Sequence, residues 1–108
     1  MNSWLYLFLA GFFEIGFTTF MKLSDGFTVI IYTIGFVICA ALSFYLLNKA
    51  LTTIPLGTAY AIWTGIGAFG TAVIGMVFFK DPVSFMRSVF LILLIGSIVG
   101  LKVVSAGD

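Results

Sequence analysis

The chain has 108 residues, of which 62% are hydrophobic and 8% charged, with a net charge of +1 at pH 7. Its mean hydropathy is +1.26, whereas a soluble domain would carry about 25% charged residues. The composition therefore predicts a protein of the lipid bilayer and excludes the basic surface that a nucleic-acid partner requires. With no His and one Cys, the chain lacks the ligands of a zinc site and the pairs of a disulfide framework. We expect neither a metal nor another cofactor.

Charged residues and turn residues divide the sequence into four apolar segments. We predict helices over about 4–21, 28–48, 57–79 and 86–104, each close to the roughly 20 residues that span a membrane. Pro55 separates the second helix from the third because proline removes a backbone donor and disfavours helix in the residue before it. Short loops force neighbouring helices to run antiparallel. The sequence predicts an all-α membrane protein with one four-helix transmembrane domain, residues 1–108.

Glu14 is the only residue between Trp4 and Met21 that carries a charge at neutral pH in water. At 1.5 Å per residue its carboxyl lies roughly 15 Å deep, near the middle of a hydrocarbon core about 30 Å thick. An acid at a helix centre costs about 2.5 to 3.5 kcal/mol, and such residues generally face a bundle interior or a wet cavity where they carry ions or protons. The alternative is a neutral Glu that only ties two helices together. We predict that Glu14 serves transport.

Small and hydroxyl-bearing side chains lie near this acid in the predicted helices. Ala10 and Thr18 share the face of Glu14, since residues four apart are helical neighbours. Small side chains leave space beside the carboxyl, and the Thr18 hydroxyl either bonds the carboxyl or bonds the carbonyl four residues earlier. Ser43, the only hydroxyl in the centre of the second helix, either positions a carboxylate or bonds back to its own helix.

Tyr60 and Trp63 fall on one stripe of the third helix. Aromatic faces beside a carboxylate form a cation site, in which each well-placed ring contributes about 0.5 to 2 kcal/mol. Tyr and Trp are also enriched where membranes meet water. Both interpretations stay open from the spacing alone.

Glycines in the last two helices predict flexibility and close packing. Gly65 and Gly67 lie in a glycine-rich part of the third helix that favours a hinge. Gly96 and Gly100 form a small-xxx-small face that lets helices approach closely. We predict a dimer contact at this face, although glycine is frequent in membrane helices generally.

The length of the chain implies an assembly. Secondary transporters commonly bind substrate between two inverted halves, and four helices supply only one half. One side of the membrane would carry Lys49 and Lys102, and the other Lys22, Lys80 and Arg87. Such a small bias predicts insertion in both orientations and an antiparallel dimer. The alternative is that short loops simply carry few charges.

Two stretches of the sequence have a recognisable pattern. Glu-Ile-Gly-Phe-Thr-Thr-Phe-Met-Lys from Glu14, and Pro-Leu-Gly-Thr-Ala-Tyr-Ala-Ile-Trp-Thr-Gly-Ile-Gly from Pro55, resemble the small multidrug resistance transporters. The resemblance implies an antiparallel dimer in the bacterial plasma (inner) membrane that exports small organic cations in exchange for protons, with Glu14 of both subunits as the shared site. It also implies substrate contacts at Ala10, Thr18, Ser43, Tyr60 and Trp63.

Selectivity within this family is divided between two branches. Residues 16–22 look like the quaternary-ammonium branch, and residues 64–68 look like the guanidinium branch. Phe17 stands where guanidinium exporters have a Trp that hydrogen-bonds the Glu, and Ala40 stands where multidrug members have a Tyr. A planar polar cation needs a preorganised hydrogen-bonding shell. We therefore expect export of hydrophobic organic cations such as quaternary ammonium compounds.

Other functions remain as alternatives. The first is a guanidinium or guanidinyl exporter of the same family, or one subunit of a heteromeric pair. A non-transporting membrane subunit or a small channel would need polar rings along a pore or a partner surface, not an acid with an aromatic wall. We do not expect an enzyme, since the sequence offers no nucleophile–base pair, metal set or phosphate loop.

Overall fold

Residues 2–106 are described by a computed structural model, in which the chain forms four α-helices. Their bounds are α1 Ser3–Leu23, α2 Ile30–Ala50, α3 Leu56–Phe78 and α4 Phe85–Ala106. Each helix is long and apolar enough to cross a membrane. The expected all-α architecture with four membrane spans is confirmed.

Lysines explain why the first two helices end later than the predicted residues 21 and 48. Lys22 lies in the last turn of α1 and Lys49 in the last turn of α2. We expected helices to stop before these charges, but a cation is favourable beside the negative end of the helix dipole. At the other end of α1, the Asn2 side chain accepts a hydrogen bond of 2.9 Å from the Leu5 amide, which satisfies one free donor of the first turn.

α1 is the central helix of the chain. It packs against both α2 and α3, whereas the backbone of α4 approaches only that of α3. Glycine permits two of these contacts: a Cβ at Gly11 would lie 2.7 Å from Ile66 Cγ2, and a Cβ at Gly65 would lie 2.8 Å from Ile98 Cδ1. The buried hydrophobic core is formed by Leu7, Ala10, Ala50, Ile54, Ala59, Ile62, Trp63 and Ile98.

The loop between α1 and α2 reverses the chain through left-handed backbone. Asp25, Gly26 and Phe27 have φ values of 49°, 70° and 66°, a region that non-glycine residues rarely adopt. Buried Ser24 holds the turn, because its hydroxyl donates to the Met21 carbonyl at 2.7 Å and accepts from the Phe27 amide at 3.1 Å. α1 and α3 therefore run parallel to each other, with α2 returning between them in sequence.

Candidate functional site

Glu14 lies on the face of α1 that packs against α3. Its carboxyl group sits directly over Gly67, where any Cβ would collide with the carboxyl atoms. Gly67 is buried, and the space that a side chain would take there is filled by the Glu14 carboxyl of α1. The sequence predicted a hinge at Gly67. In the structure α3 is continuous across this residue. The close approach of the Glu14 carboxyl is a separate reason for a glycine here, because it leaves no room for a side chain. The hinge stays a prediction.

Two buried polar atoms of the described residues have no hydrogen-bond partner, one on α1 and one on α3. They are Glu14 Oε1 and Thr64 Oγ1. Thr64 lies one turn before Gly67 on the same face of α3. A buried polar atom without a partner costs about 1 to 3 kcal/mol. We call Glu14, Thr64 and Gly67 the α1–α3 site, and its unmade hydrogen bonds are available to a ligand.

Ser43 connects three helices close to this site. Its hydroxyl donates to the Ala10 carbonyl at 2.7 Å and accepts from Trp63 Nε1 at 2.9 Å. All three residues are buried. We call them the Ser43 junction. In this structure the Ser43 hydroxyl bonds neither a carboxylate nor a carbonyl of its own helix, and its expected contact with substrate stays a prediction.

Thr18 also differs from the expectation. Its hydroxyl bonds the Ile15 carbonyl at 2.9 Å and the Thr71 hydroxyl at 2.6 Å. It therefore bonds neither the Glu14 carboxyl nor the carbonyl four residues earlier. Sequence reasoning missed Thr71, although its position four residues after Gly67 places it on the stripe that faces α1.

A continuous row of aromatic rings runs from α2 to α3 beside the junction. Successive ring centroids along it are 5.8, 6.1, 5.5 and 5.8 Å apart, for the pairs Phe36–Phe17, Phe17–Phe44, Phe44–Trp63 and Trp63–Tyr60. The predicted pair of Tyr60 and Trp63 forms one end of the row. Trp63 is only 7% exposed, whereas Tyr60 is 57% exposed, so the row leads from the core to the outer surface of the chain.

The sequence did not identify Phe44 as part of this row. The signal was available, because Phe44 follows the central Ser43 and lies four residues after Ala40. Ala40 itself is half-buried on α2. Its small side chain adds no ring to the row, and its role in selectivity stays a prediction.

The remaining predicted glycines divide into one packed and two open positions. Gly65 packs against the side chain of Ile98. Nothing lies within 4 Å of a Cβ built at Gly96 or at Gly100. The face of α4 that carries them is open in the single chain, and the dimer contact stays a prediction.

Comparison with known proteins identifies close relatives over nearly the full chain. Residues 2–94 match a family model described as Small Multidrug Resistance protein. A guanidinium exporter of Yersinia pseudotuberculosis is 40% identical over 103 residues, which cover 95% of this chain and 99% of the relative. A probable guanidinium efflux system subunit, GdnD, of Bacillus licheniformis has the same identity and coverage. An uncharacterized membrane protein of Bacillus subtilis, YvdR, is 36% identical over 108 residues, covering 96% of this chain and 98% of the relative.

Proposed function

Because this chain belongs to the small multidrug resistance family of transporters, multi-pass proteins of the bacterial inner membrane, we propose that it exports guanidinyl cations in exchange for protons. Glu14 is the group for which proton and cation compete. Its buried, unpartnered oxygen over Gly67 is the observation that carries the proposal. A carboxylate in this position gains a hydrogen bond and a counter-charge from a bound cation, or a proton in the absence of one.

The choice of guanidinyl compounds departs from the leading expectation of the sequence. Several relatives that match almost their whole length are named guanidinium exporters, which favours the guanidinyl alternative over quaternary ammonium compounds. The unpartnered acceptors at Glu14 and Thr64 agree with this choice. Guanidinium carries N–H donors that such oxygens can accept, and a quaternary ammonium ion carries none.

One observation still favours hydrophobic cations as a second class of substrate. Phe17 packs edge-on against Phe36 and stacks on Phe44, so an apolar ring occupies the position where the family's guanidinium branch has an indole donor. Aromatic faces bind organic cations without directional hydrogen bonds. Guanidinyl compounds that carry an apolar substituent would use both the oxygens and the rings.

The functional unit of the proposal is an antiparallel dimer that places two copies of Glu14 near one pocket. Long apolar faces of α2 and α4 are exposed in the single chain, including Ile30 at 74% and Phe90 at 61%. The open glycines Gly96 and Gly100 would let a second α4 approach closely. A heteromeric pair is the alternative assembly, and one relative is named a subunit of an efflux system.

Transport into proteoliposomes tests this function directly. Guanidinium, phenylguanidinium and tetrapropylammonium would each be offered at a fixed proton gradient, and uptake and proton release would be followed together. We expect saturable uptake of the two guanidinyl compounds, coupled to proton counterflow. Uptake confined to tetrapropylammonium would reject the guanidinyl assignment, and flux that ignores the proton gradient would indicate a channel.

Glu14→Gln tests the role of the acid in the same assay. The substitution keeps the size of the side chain and removes its charge and its exchangeable proton, so we expect coupled transport to fall to the rate of empty vesicles. Size-exclusion chromatography in detergent would verify that the variant protein is folded. Undiminished antiport by Glu14→Gln would reject the mechanism, and retained activity of Glu14→Asp would support it.

A further inference from the structure

A polar cavity lies at the side of the membrane where α1 and α3 end. Its volume is about 180 Å³, and its polar lining consists of Thr18, Thr19, Lys22, Thr71 and Asp81. Thr19 donates its hydroxyl proton to the Ile15 carbonyl at 2.8 Å, which leaves its oxygen free to accept a hydrogen bond. The cavity thus presents a carboxylate, an ammonium group and several hydroxyl oxygens, and neither Glu14, Thr64 nor Gly67 lines it.

The backbone after α3 directs Asp81 into this cavity. Lys80 has a left-handed φ of 60°, which turns the chain back over the end of the helix. The Asp81 amide donates to the Gly75 carbonyl at 3.0 Å, and the carboxylate packs over Gly75, where any Cβ would collide with it. Two unusual conformational features therefore hold one carboxylate in place.

The position of this carboxylate is not explained by the stability of the helix. The end of α3 is the negative end of its dipole, where an acid is unfavourable by about 0.3 to 1 kcal/mol. The Asp81 side chain is exposed, so its oxygens are accessible to water or to a ligand. A cation bound in the cavity would offset this unfavourable charge.

The cavity and the α1–α3 site are about one helical turn apart along the same two helices. Thr18 follows Glu14 by one turn on α1, and Thr71 follows Gly67 by one turn on α3. The hydroxyls of these two threonines lie 2.6 Å apart and form the inner wall of the cavity. The hydroxyl pair therefore separates the cavity from Glu14.

We propose that this cavity is an access site that binds a guanidinyl cation before it reaches Glu14, with Asp81 as the carboxylate that takes it from water. Two parallel N–H groups of the planar cation match the two oxygens of a carboxylate, and the threonine hydroxyls accept from the remaining N–H groups. The assignment of the ligand rests on the proposed function. Lys22 lines the same cavity and opposes cation binding, so it sets a limit on the affinity.

Binding to the Glu14→Gln protein isolates the access site from the central one. Radiolabelled guanidinium would be titrated onto detergent-solubilised Glu14→Gln, with and without the added change Asp81→Asn. We expect weak, saturable binding that Asp81→Asn lowers about tenfold, the loss of one charge-assisted contact. Lys22→Gln is expected to strengthen it.

Asp25→Asn is the matched control for Asp81→Asn. Asp25 is exposed in the loop after α1, on the same side of the membrane, and the substitution changes the charge of that side equally. Equal losses from the two substitutions would reduce the effect to general surface charge and overturn the proposal. Guanidinium binding that Asp81→Asn leaves unchanged, or no binding at all, would overturn the proposal as well.

Transport kinetics separate this proposal from the function on which it rests. In otherwise unaltered protein we expect Asp81→Asn to raise the KM for guanidinium about tenfold and to leave kcat within about twofold, because saturating substrate bypasses an access site. Wild-type protein that transports no guanidinyl compound would reject the proposed function, and the binding measurement on Glu14→Gln would still decide the site. Normal transport with an unchanged KM in Asp81→Asn would reject the access site alone. Asp81→Glu, which keeps the charge, should restore most of the affinity.

Discussion

The Ser43 junction and the α1–α3 site are neighbouring polar regions in the same bundle, yet their hydrogen bonds are organised in opposite ways. In the junction, the Ser43 hydroxyl both donates and accepts, and the Trp63 indole is bonded. In the α1–α3 site, Glu14 Oε1 and Thr64 Oγ1 are buried without partners. A buried hydrogen bond between partners adds to stability, whereas an unpartnered polar atom costs stability. The difference separates a region that holds helices together from a region that, under the proposed function, keeps its bonding capacity for a ligand.

Among the substitutions that test this difference between the two regions, Gly67→Ala is expected to have the largest effect. The added methyl group would occupy the position of the Glu14 carboxyl and displace the acid by about 1 Å or more, a shift that can cost about a hundredfold in rate. We expect guanidinyl transport to fall by about that factor while the protein remains folded. Gly57→Ala is the control, since a Cβ there meets nothing within 4 Å. Full activity of Gly67→Ala would show that transport does not depend on the contact between the Glu14 carboxyl and Gly67.

Ser43→Ala tests the other region and should act on stability. Removing the hydroxyl leaves the Trp63 indole without its acceptor, so we expect the free energy of unfolding to fall by about 1 to 3 kcal/mol, read as a lower Tm in detergent. Transport per folded molecule should change much less. Ser97→Ala serves as the control, because the Ser97 hydroxyl bonds its own helix on an exposed face. A Tm shift no larger than that of Ser97→Ala would contradict the structural role of the junction.

Thr64→Val should separate substrates without loss of stability. Valine keeps the shape of threonine and removes an unpartnered hydroxyl, so the free energy of unfolding should stay constant or rise. We expect guanidinium transport to fall about fivefold, the value of one hydrogen bond, with tetrapropylammonium unaffected. Thr33→Val, whose hydroxyl bonds the Val29 carbonyl, is the matched control. Equal losses for both substrates would indicate a packing role for Thr64.

Phe17→Trp is expected to have the smallest effect, on selectivity alone. The indole adds a donor next to Glu14, and we expect the transport ratio of guanidinium to tetrapropylammonium to rise about threefold, less than a full hydrogen bond would give. Phe12→Trp controls for ring size, because Phe12 is 65% exposed on α1. A ratio that moves toward tetrapropylammonium would reject the argument from the missing indole.

The sequence predicted the parts of this molecule that depend on composition along the chain. Apolar runs between charges were sufficient for four membrane helices, and the isolation of Glu14 in one of them identified the candidate acid. Helix ends were less predictable, because Lys22 and Lys49 were interpreted as breaks although a cation suits the last turn of a helix.

Contacts between helices were out of reach of the sequence. The acceptor of the Ser43 hydroxyl is the backbone carbonyl of Ala10, and every residue carries such a carbonyl, so no side chain signals the pairing. The bond between Thr18 and Thr71 depends on the rotation of α1 relative to α3. Neither rotation nor register leaves a trace in the hydrophobic pattern of helices that are apolar on all sides.

The attachment of α4 has a consequence for how the protein is made. Within residues 2–106 the backbone of α4 approaches only that of α3, and every residue of the Ser43 junction and of the α1–α3 site precedes Phe78, where α3 ends. Synthesis proceeds from the N-terminus, so the three helices that carry both regions are inserted before the last helix leaves the ribosome. The fourth helix therefore joins last, and we expect an exchange of its lipid-facing residues to alter assembly in the membrane more than the contacts of Glu14 within one chain.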